Sequence, residues 1–203
     1  MVDGCQHLTG FLDRRAQEEL LSDLRDIIGK APFFRPTMPR SGRPFSVEMT
    51  NCGELGWVSD KAGGYRYQSH HPVTGLQWPK MPNVLLRIWR EVANWPGVPE
   101  ACLINFYSSS AKMGSHVDSD EAEPSAPVVS ISLGDEAVFH VGGLERGGSK
   151  SRFRLKSGDV FVLGGPSRLA YHGIDRVFAG SSDLLPEGGR LNLTMRRVTP
   201  LEY

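Results

Sequence analysis

Arg190-Leu191-Asn192-Leu193-Thr194-Met195-Arg196 alternates polar and apolar residues at every step. A period of two marks a β-strand, so Leu191, Leu193 and Met195 face a core while Arg190, Asn192, Thr194 and Arg196 share the opposite face. The β-type runs 101–107, 128–133, 137–141, 152–155, 160–163 and 190–198 are separated by Gly, Ser, Pro and Asp turns, a spacing that suits a sandwich or barrel. Two amphipathic segments precede them. Residues 13–28 set Ala16, Leu20, Leu21, Leu24, Ile27 and Ile28 on one stripe, with Asp13 as N-cap and Gly29 as the stop. Residues 83–94 turn Leu85, Ile88, Trp89, Val92 and Ala93 inward and end before Pro96. Helices first and strands later predict an α+β fold. The helices pack on a sheet, and the strands form a jelly roll in which side chains from distant segments converge between two sheets.

The polar face of 190–196 constrains the chemistry. Two arginines and an asparagine on a face that points inward need a partner, because unpaired buried charge is costly. A guanidinium fork matches a carboxylate bidentately, so the expected partner is a small dicarboxylate. A metal is expected beside that diacid. In an extended segment His116 and Asp118 project to the same side, and one further imidazole makes the two-histidine, one-carboxylate triad that holds Fe(II) with open positions. His172, in Tyr171-His172-Gly173 after the apolar run 160–163, is preferred as third ligand, with His140 as its rival. His7 falls in a flexible start and His70 and His71 in a loop before Pro72. Iron with a bound diacid points to 2-oxoglutarate. H-x-D by itself is a weak motif. Asn105 and Tyr107 share one face of their run and either line the same cavity or form an ordinary strand end.

The 203 residues suffice for one domain with a real core. With 23 basic and 23 acidic residues the formal net charge is zero, which excludes strong non-specific nucleic-acid binding by bulk charge. Two acid-free basic runs remain, Lys30 to Arg43 and Arg146 to Lys156, either solvated faces or local phosphate contacts. Residues 30–46 read as a loop and 45–50 as a short strand, while Tyr65 and Tyr67 share a face if their segment is extended. Cys5, Cys52 and Cys102 are widely spaced, without a C-x-x-C, so a reduced protein is expected rather than a disulfide framework or zinc ribbon. The N-terminus has no apolar leader and no stretch approaches a membrane span. The expectation is a monomer in the cytoplasm.

With His116-x-Asp118, His172 and Arg190-x-Asn192-x-Thr194-x-Arg196 in that order, the sequence resembles the AlkB family of Fe(II)- and 2-oxoglutarate-dependent dioxygenases. The likeness runs through most of the chain and is densest over 50–57, 101–118, 126–133, 142–146, 157–165, 167–169, 171–174 and 190–196. It implies a jelly-roll core over about 99–200, preceded over about 1–98 by helices and a nucleotide-recognition lid. It implies His116, Asp118 and His172 as iron ligands and Asn105, Tyr107, Arg190, Asn192 and Arg196 around 2-oxoglutarate, with Arg190 on the distal carboxylate. It places Trp57 where the family stacks on a damaged base, Tyr65 and Tyr67 near the nucleic-acid backbone, and Asp120 and Arg146 near the flipped base. Without the resemblance, Trp57 reads equally well as a core anchor. Leu163 stands where the family pattern has a tryptophan. The implied reaction uses O2 and 2-oxoglutarate to dealkylate N-alkylated bases in DNA, with RNA as a second substrate. Its alternatives are the same chemistry on a protein or small molecule, and a non-catalytic metal-binding jelly roll.

Overall fold

The alternating segment 190–196 is a strand, and all of its residues are buried. The computed structural model describes residues 3–201. In chain order these form β1 (Cys5–Leu8), α1 (Arg14–Lys30), β2 (Glu48–Gly53), β3 (Gly56–Asp60), β4 (Gly64–Gln68), α2 (Asn83–Val92), β5 (Ala101–Tyr107) and β6 (Met113–His116). There follow β7 (Val128–Gly134), β8 (Glu136–Val141), β9 (Ser151–Leu155), β10 (Val160–Leu163), β11 (His172–Phe178) and β12 (Arg190–Arg196). The major sheet has the order β1-β10-β7-β12-β5-β2 and the minor sheet β6-β11-β8-β9, while β3 and β4 form a separate hairpin. Pairing is antiparallel throughout. From β5 onward the chain crosses between the two sheets at nearly every connection, the double-stranded β-helix that the strand spacing predicts.

Period-two alternation sorts the side chains into two cores. On the outer face of the major sheet, Leu191, Leu193 and Met195 join Ile104, Ile131 and Leu133 against Leu20, Leu24 and Ile27 of α1 and Leu85 and Trp89 of α2. Between the sheets, Leu103, Val128, Phe161 and Leu163 meet Phe139, Val141, Leu155 and Ile174. Each fully buried aliphatic or aromatic side chain contributes roughly 1.5–3 kcal/mol. The polar half of β12 faces this second space.

Several local expectations are corrected. Asp13 caps α1 by accepting from Ala16 N at 2.8 Å, but Gly29 does not end the helix. It runs to Lys30, with Ala31 N bonded to Ile27 O, and stops before Pro32. The strand expected at 45–50 runs instead over Glu48–Gly53, because its ladder is set by β5, with Cys52 opposite Cys102. His7 is not in a flexible start. It lies in β1, paired to β10, with Nε2 2.8 Å from Asp159 Oδ2. Asp118 lies beyond the end of β6, so a loop rather than strand alternation carries it to the side of His116. Among the described residues no helix is long and apolar enough to cross a membrane.

Gly173 shows how tightly β6 and β11 meet. A Cβ there would lie 2.5 Å from Met113 O and 2.9 Å from Gly114 O, both backbone atoms. Gly173→Ala should therefore push β6 away from β11 and destabilise the fold by about 1–3 kcal/mol, the usual cost of overpacking. Urea unfolding together with metal titration checks this, the expected result being a lower midpoint and weaker metal binding.

Candidate active site

β6 and β11 are neighbours with His116 directly opposite His172, which brings the two rings to 4.4 Å between centroids. Asp118 completes the cluster, with Oδ1 3.7 Å from His116 Nε2 and Oδ2 3.5 Å from His172 Nε2. All three offer ligand atoms within 4.8 Å of one another. His116 Nδ1 lies 2.9 Å from Gly114 O and His172 Nδ1 2.9 Å from Ala170 O. A carbonyl only accepts, so both Nδ1 atoms carry the proton and both Nε2 lone pairs point into the cluster. That is the tautomer a metal requires, fixed by the outer hydrogen bond. Desolvation, helped by repulsion from His172, lowers the His116 pKa and keeps the ring neutral. Burial would raise the Asp118 carboxyl, but Arg196 and His172 outweigh it and hold it well below its ordinary range.

His140 is built for a different role. Its ring is buried on β8, with Nδ1 2.7 Å from Asp175 Oδ1 and Nε2 3.2 Å from Ser115 Oγ. It ties the strands of the minor sheet together and stands outside the triad.

β12 and β5 supply the adjoining pocket. Arg190 is fully buried, and only its Nη2 has a partner, Ser132 Oγ at 2.9 Å. Nε and Nη1 have none, nor does Asn105 Oδ1. Among the described residues no carboxylate pairs with Arg190, and burial pushes its guanidinium down to about 10. A buried fork without an acid fits the carboxylate of a small diacid, as the alternation of β12 predicts. Tyr107 lies beneath it, its ring 5.4 Å from the guanidinium carbon. Asn192 is held by Ser130 Oγ at 2.7 Å and Ile131 O at 3.1 Å, and it accepts from Thr194 Oγ1 at 3.1 Å. Arg196, unlike Arg190, is already paired, its Nη2 2.8 Å from Asp118 Oδ2.

The β3–β4 hairpin forms one wall of the mouth. Trp57 is buried yet lines the cavity, its Nε1 donating to Asp120 Oδ2 at 2.7 Å and its ring stacked on Tyr65 at 5.6 Å and 22°. Trp57 therefore anchors the hairpin, as the core reading expects, and its ring also faces the cavity. Tyr65 is half exposed and Arg146 reaches the cavity across the Tyr171 ring at 5.5 Å. Tyr67 is the exception. It sits opposite Trp57 in the hairpin register, while Tyr65 is opposite Ser59 nearer the tip. Its hydroxyl turns to Glu121 and Arg196, away from the cavity lining.

The basic runs are neutralised only in part, Arg35 by Glu48 at 3.0 Å, Arg152 by Asp175 at 3.0 Å and Arg154 by Glu136. Sequence reasoning assigned no role to Glu121 or Arg168, both buried beside the triad. A buried acid reads like any surface acid until its partners are in place.

The sequence pattern of the 2OG-Fe(II) oxygenase superfamily matches residues 4–196. The alpha-ketoglutarate-dependent dioxygenase AlkB homolog of Caulobacter vibrioides is 49% identical over 200 residues, 98% of this chain and 89% of that one. Alpha-ketoglutarate-dependent dioxygenase AlkB of Escherichia coli is 42% identical over 187 residues, 90% of this chain and 85% of that one. The solved structure of OsALKBH1 superposes with a TM-score of 0.81 at 32% identity, covering 97% of this chain and 98% of that one. Sandwich, triad and lone arginine thus define a 2OG-Fe(II) oxygenase, whose reaction takes Fe(II), 2-oxoglutarate and O2. Within that superfamily the chain belongs to the AlkB dioxygenases.

The separation of the two histidine environments predicts that His172→Ala abolishes Fe(II) or Mn(II) binding in calorimetric titration. His140→Ala should bind metal normally and lose stability instead, because Asp175 forfeits its closest partner. The opposite pattern would reassign the third ligand.

Proposed function

We propose that the chain oxidatively dealkylates N-alkylated bases of DNA, with RNA as a second substrate, in direct-reversal repair. One observation carries the reading. A single cavity of about 680 Å³ is lined by the triad, by Arg190 and by the hairpin aromatics Trp57 and Tyr65. It lies within the size range of small-molecule sites, roughly 300–1,000 Å³, with an apolar floor of Leu103, Phe139, Phe161 and Leu163.

In this reading His116, Asp118 and His172 hold the iron. Arg190 grips the distal carboxylate of 2-oxoglutarate above Tyr107, and Asn105, Asn192 and Arg196 line the remainder of its pocket. Bound Fe(II) with 2-oxoglutarate and O2 supplies oxidation of the alkyl carbon, which leaves as an aldehyde. The chain's own residues orient and shield. The apolar floor excludes water, and the outer hydrogen bonds of His116 and His172 fix where the open side of the triad points. A base within a duplex cannot reach this depth, so it enters flipped or from a single strand. Trp57, held rigid by Asp120 and backed by Tyr65, replaces the lost stacking, and Arg146 and Asp120 flank the base. Lid and jelly roll act as one domain, and the protein works as a monomer. Three buried free cysteines suit the reducing cytoplasm.

The test is succinate release in the presence of alkylated oligonucleotides. Release that rises with an alkylated strand over its unmodified copy supports the proposal, and equal release with both would favour a protein or small-molecule substrate. Arg190→Ala should raise the 2-oxoglutarate requirement steeply, since breaking a buried charge pair costs roughly 3–5 kcal/mol. Arg190→Lys should rescue it poorly, because an ammonium lacks the fork. Equal co-substrate affinity in wild type and Arg190→Ala would exclude this placement. Trp57→Ala should weaken oligonucleotide binding by about 1–3 kcal/mol, the worth of one base–aromatic stack, and Trp57→Phe should recover part of it. Because Trp57 is also buried, affinity is to be measured beside thermal unfolding. A folded Trp57→Ala that binds the alkylated strand as wild type would remove the stacking role.

A further inference from the structure

Tyr67 leaves the cavity for a buried ring of charges, and the ring connects the lid to the metal site. Its hydroxyl donates to Glu121 Oε1 at 2.5 Å and accepts from Arg196 Nη1 at 3.1 Å. Glu121 bridges two arginines, Oε1 taking Arg196 Nη1 at 3.2 Å and Oε2 taking Arg168 Nη2 at 3.1 Å. Arg168 gives its other nitrogens to the backbone, Nε to Ala126 O at 2.6 Å and Nη1 to Asp118 O at 2.8 Å. The ring closes where Arg196 Nη2 stands 2.8 Å from Asp118 Oδ2.

Asp118, Glu121, Arg168 and Arg196 sum to zero charge, and none of the four side chains is more than 7% exposed. Burial works against the Arg196 charge, but Asp118, Tyr67 and Glu121 outweigh it and hold its pKa well above the ordinary value. Such a ring is costly to leave half satisfied, so each member fixes the others. Two members belong to the site already described: Asp118 in the triad and Arg196 on the 2-oxoglutarate side of the cavity. The third contact comes from the hairpin that carries Trp57.

We propose that Tyr67, Glu121 and Arg168 are positioning residues that hold Arg196 and Asp118 for 2-oxoglutarate and couple the substrate lid to co-substrate binding. Tyr67 thus acts through Arg196 and does not contact nucleic acid. The inference rests on the placement of 2-oxoglutarate beside Arg196 given above. Coupling between two ligands is reciprocal. 2-Oxoglutarate, by ordering Arg196, orders the lid that receives the base, and the base in turn tightens 2-oxoglutarate.

The test uses binding alone, on the full chain loaded with Mn(II). 2-Oxoglutarate is titrated by calorimetry, and affinity for an alkylated oligonucleotide is measured by fluorescence anisotropy with and without it. In wild type 2-oxoglutarate should raise oligonucleotide affinity about fivefold or more, the lower range of ordinary coupling. Tyr67→Phe, which deletes one oxygen, should weaken 2-oxoglutarate about tenfold, as expected for a lost hydrogen bond to a charged group, and should bring the coupling factor toward one. Oligonucleotide affinity without 2-oxoglutarate should stay within about twofold, a readout that a general loss of structure would not spare. Glu121→Gln should do the same more strongly, and the double variant should be no worse than Glu121→Gln alone, because both act in one ring. If Glu121→Gln fails to fold, Tyr67→Phe decides by itself. Unchanged 2-oxoglutarate affinity and coupling in Tyr67→Phe would overturn the proposal, as would an oligonucleotide loss of equal size with and without 2-oxoglutarate. Arg190→Ala separates the two levels. If it leaves 2-oxoglutarate binding intact, the co-substrate placement is wrong and this inference falls with it.

Discussion

Charge buried between two sheets is the constraint on which the rest of this protein depends. A jelly roll closes its interior with apolar side chains, yet here Asp118, Arg190 and Arg196 are sealed inside with a deep cavity between them. Each such charge carries a desolvation penalty of several kcal/mol unless it is paired. Arg196 and Asp118 answer the penalty by pairing with one another, and Arg196 pairs with Glu121 as well. Arg190 does not, and it keeps a guanidinium with two unpartnered nitrogens. A ligand that brings its own carboxylate would complete it. The protein is thus incomplete as a packed object and becomes complete as an enzyme.

The rest of the site is arranged to make that interior rigid. His116 and His172 are cross-strand neighbours, so their separation is set by ladder geometry rather than by loop conformation, and Gly173 permits the close approach that puts them there. Their backbone acceptors, Gly114 O and Ala170 O, fix both tautomers without help from another side chain. On the far side the major sheet is backed by α1 and α2, whose apolar stripes leave β12 little freedom to shift its polar face. Chemistry that takes place at a metal with open positions needs such stiffness, because orientation comes from the protein and reactivity from the iron.

The hairpin plays two parts at once. Trp57 is held by Asn51 through its backbone and by Asp120 through its indole nitrogen, which turns a mobile aromatic into a fixed wall. In the hairpin register Tyr67 lies opposite Trp57 and Tyr65 opposite Ser59, and of these tyrosines Tyr65 stacks over Trp57 while Tyr67 reaches inward to Arg196. Two residues of one strand thereby make different contacts, one with the cavity wall at Trp57 and one with the buried Arg196.

Much of this was legible in the chain, for identifiable reasons. Alternation in 190–196 and the stripes of the two helices are local patterns, and the burial they imply is a property of the segment alone, so the strand, its inward polar face, the helix cap at Asp13 and the need for a diacid all follow from it. The order of His116, Asp118, His172 and the two arginines carried the family. What sequence could not supply were relations between segments far apart. The short strands β1 and β6 carry too few residues to show a period, and they exist because β10 and β11 offer them a ladder, which is why His7 reads as part of a loose start in the sequence alone. Gly29 is helical because packing of α1 outweighs its weak propensity. Asp118 reaches the triad by a loop, and Glu121 and Arg168 acquire meaning only when Tyr67, Arg196 and the backbone of Asp118 meet them. Residue types and local periods decided what chemistry was possible. Long-range pairing decided which charges were buried together, because burial and electrostatic partnership are properties of the assembled interior and not of any stretch of the chain.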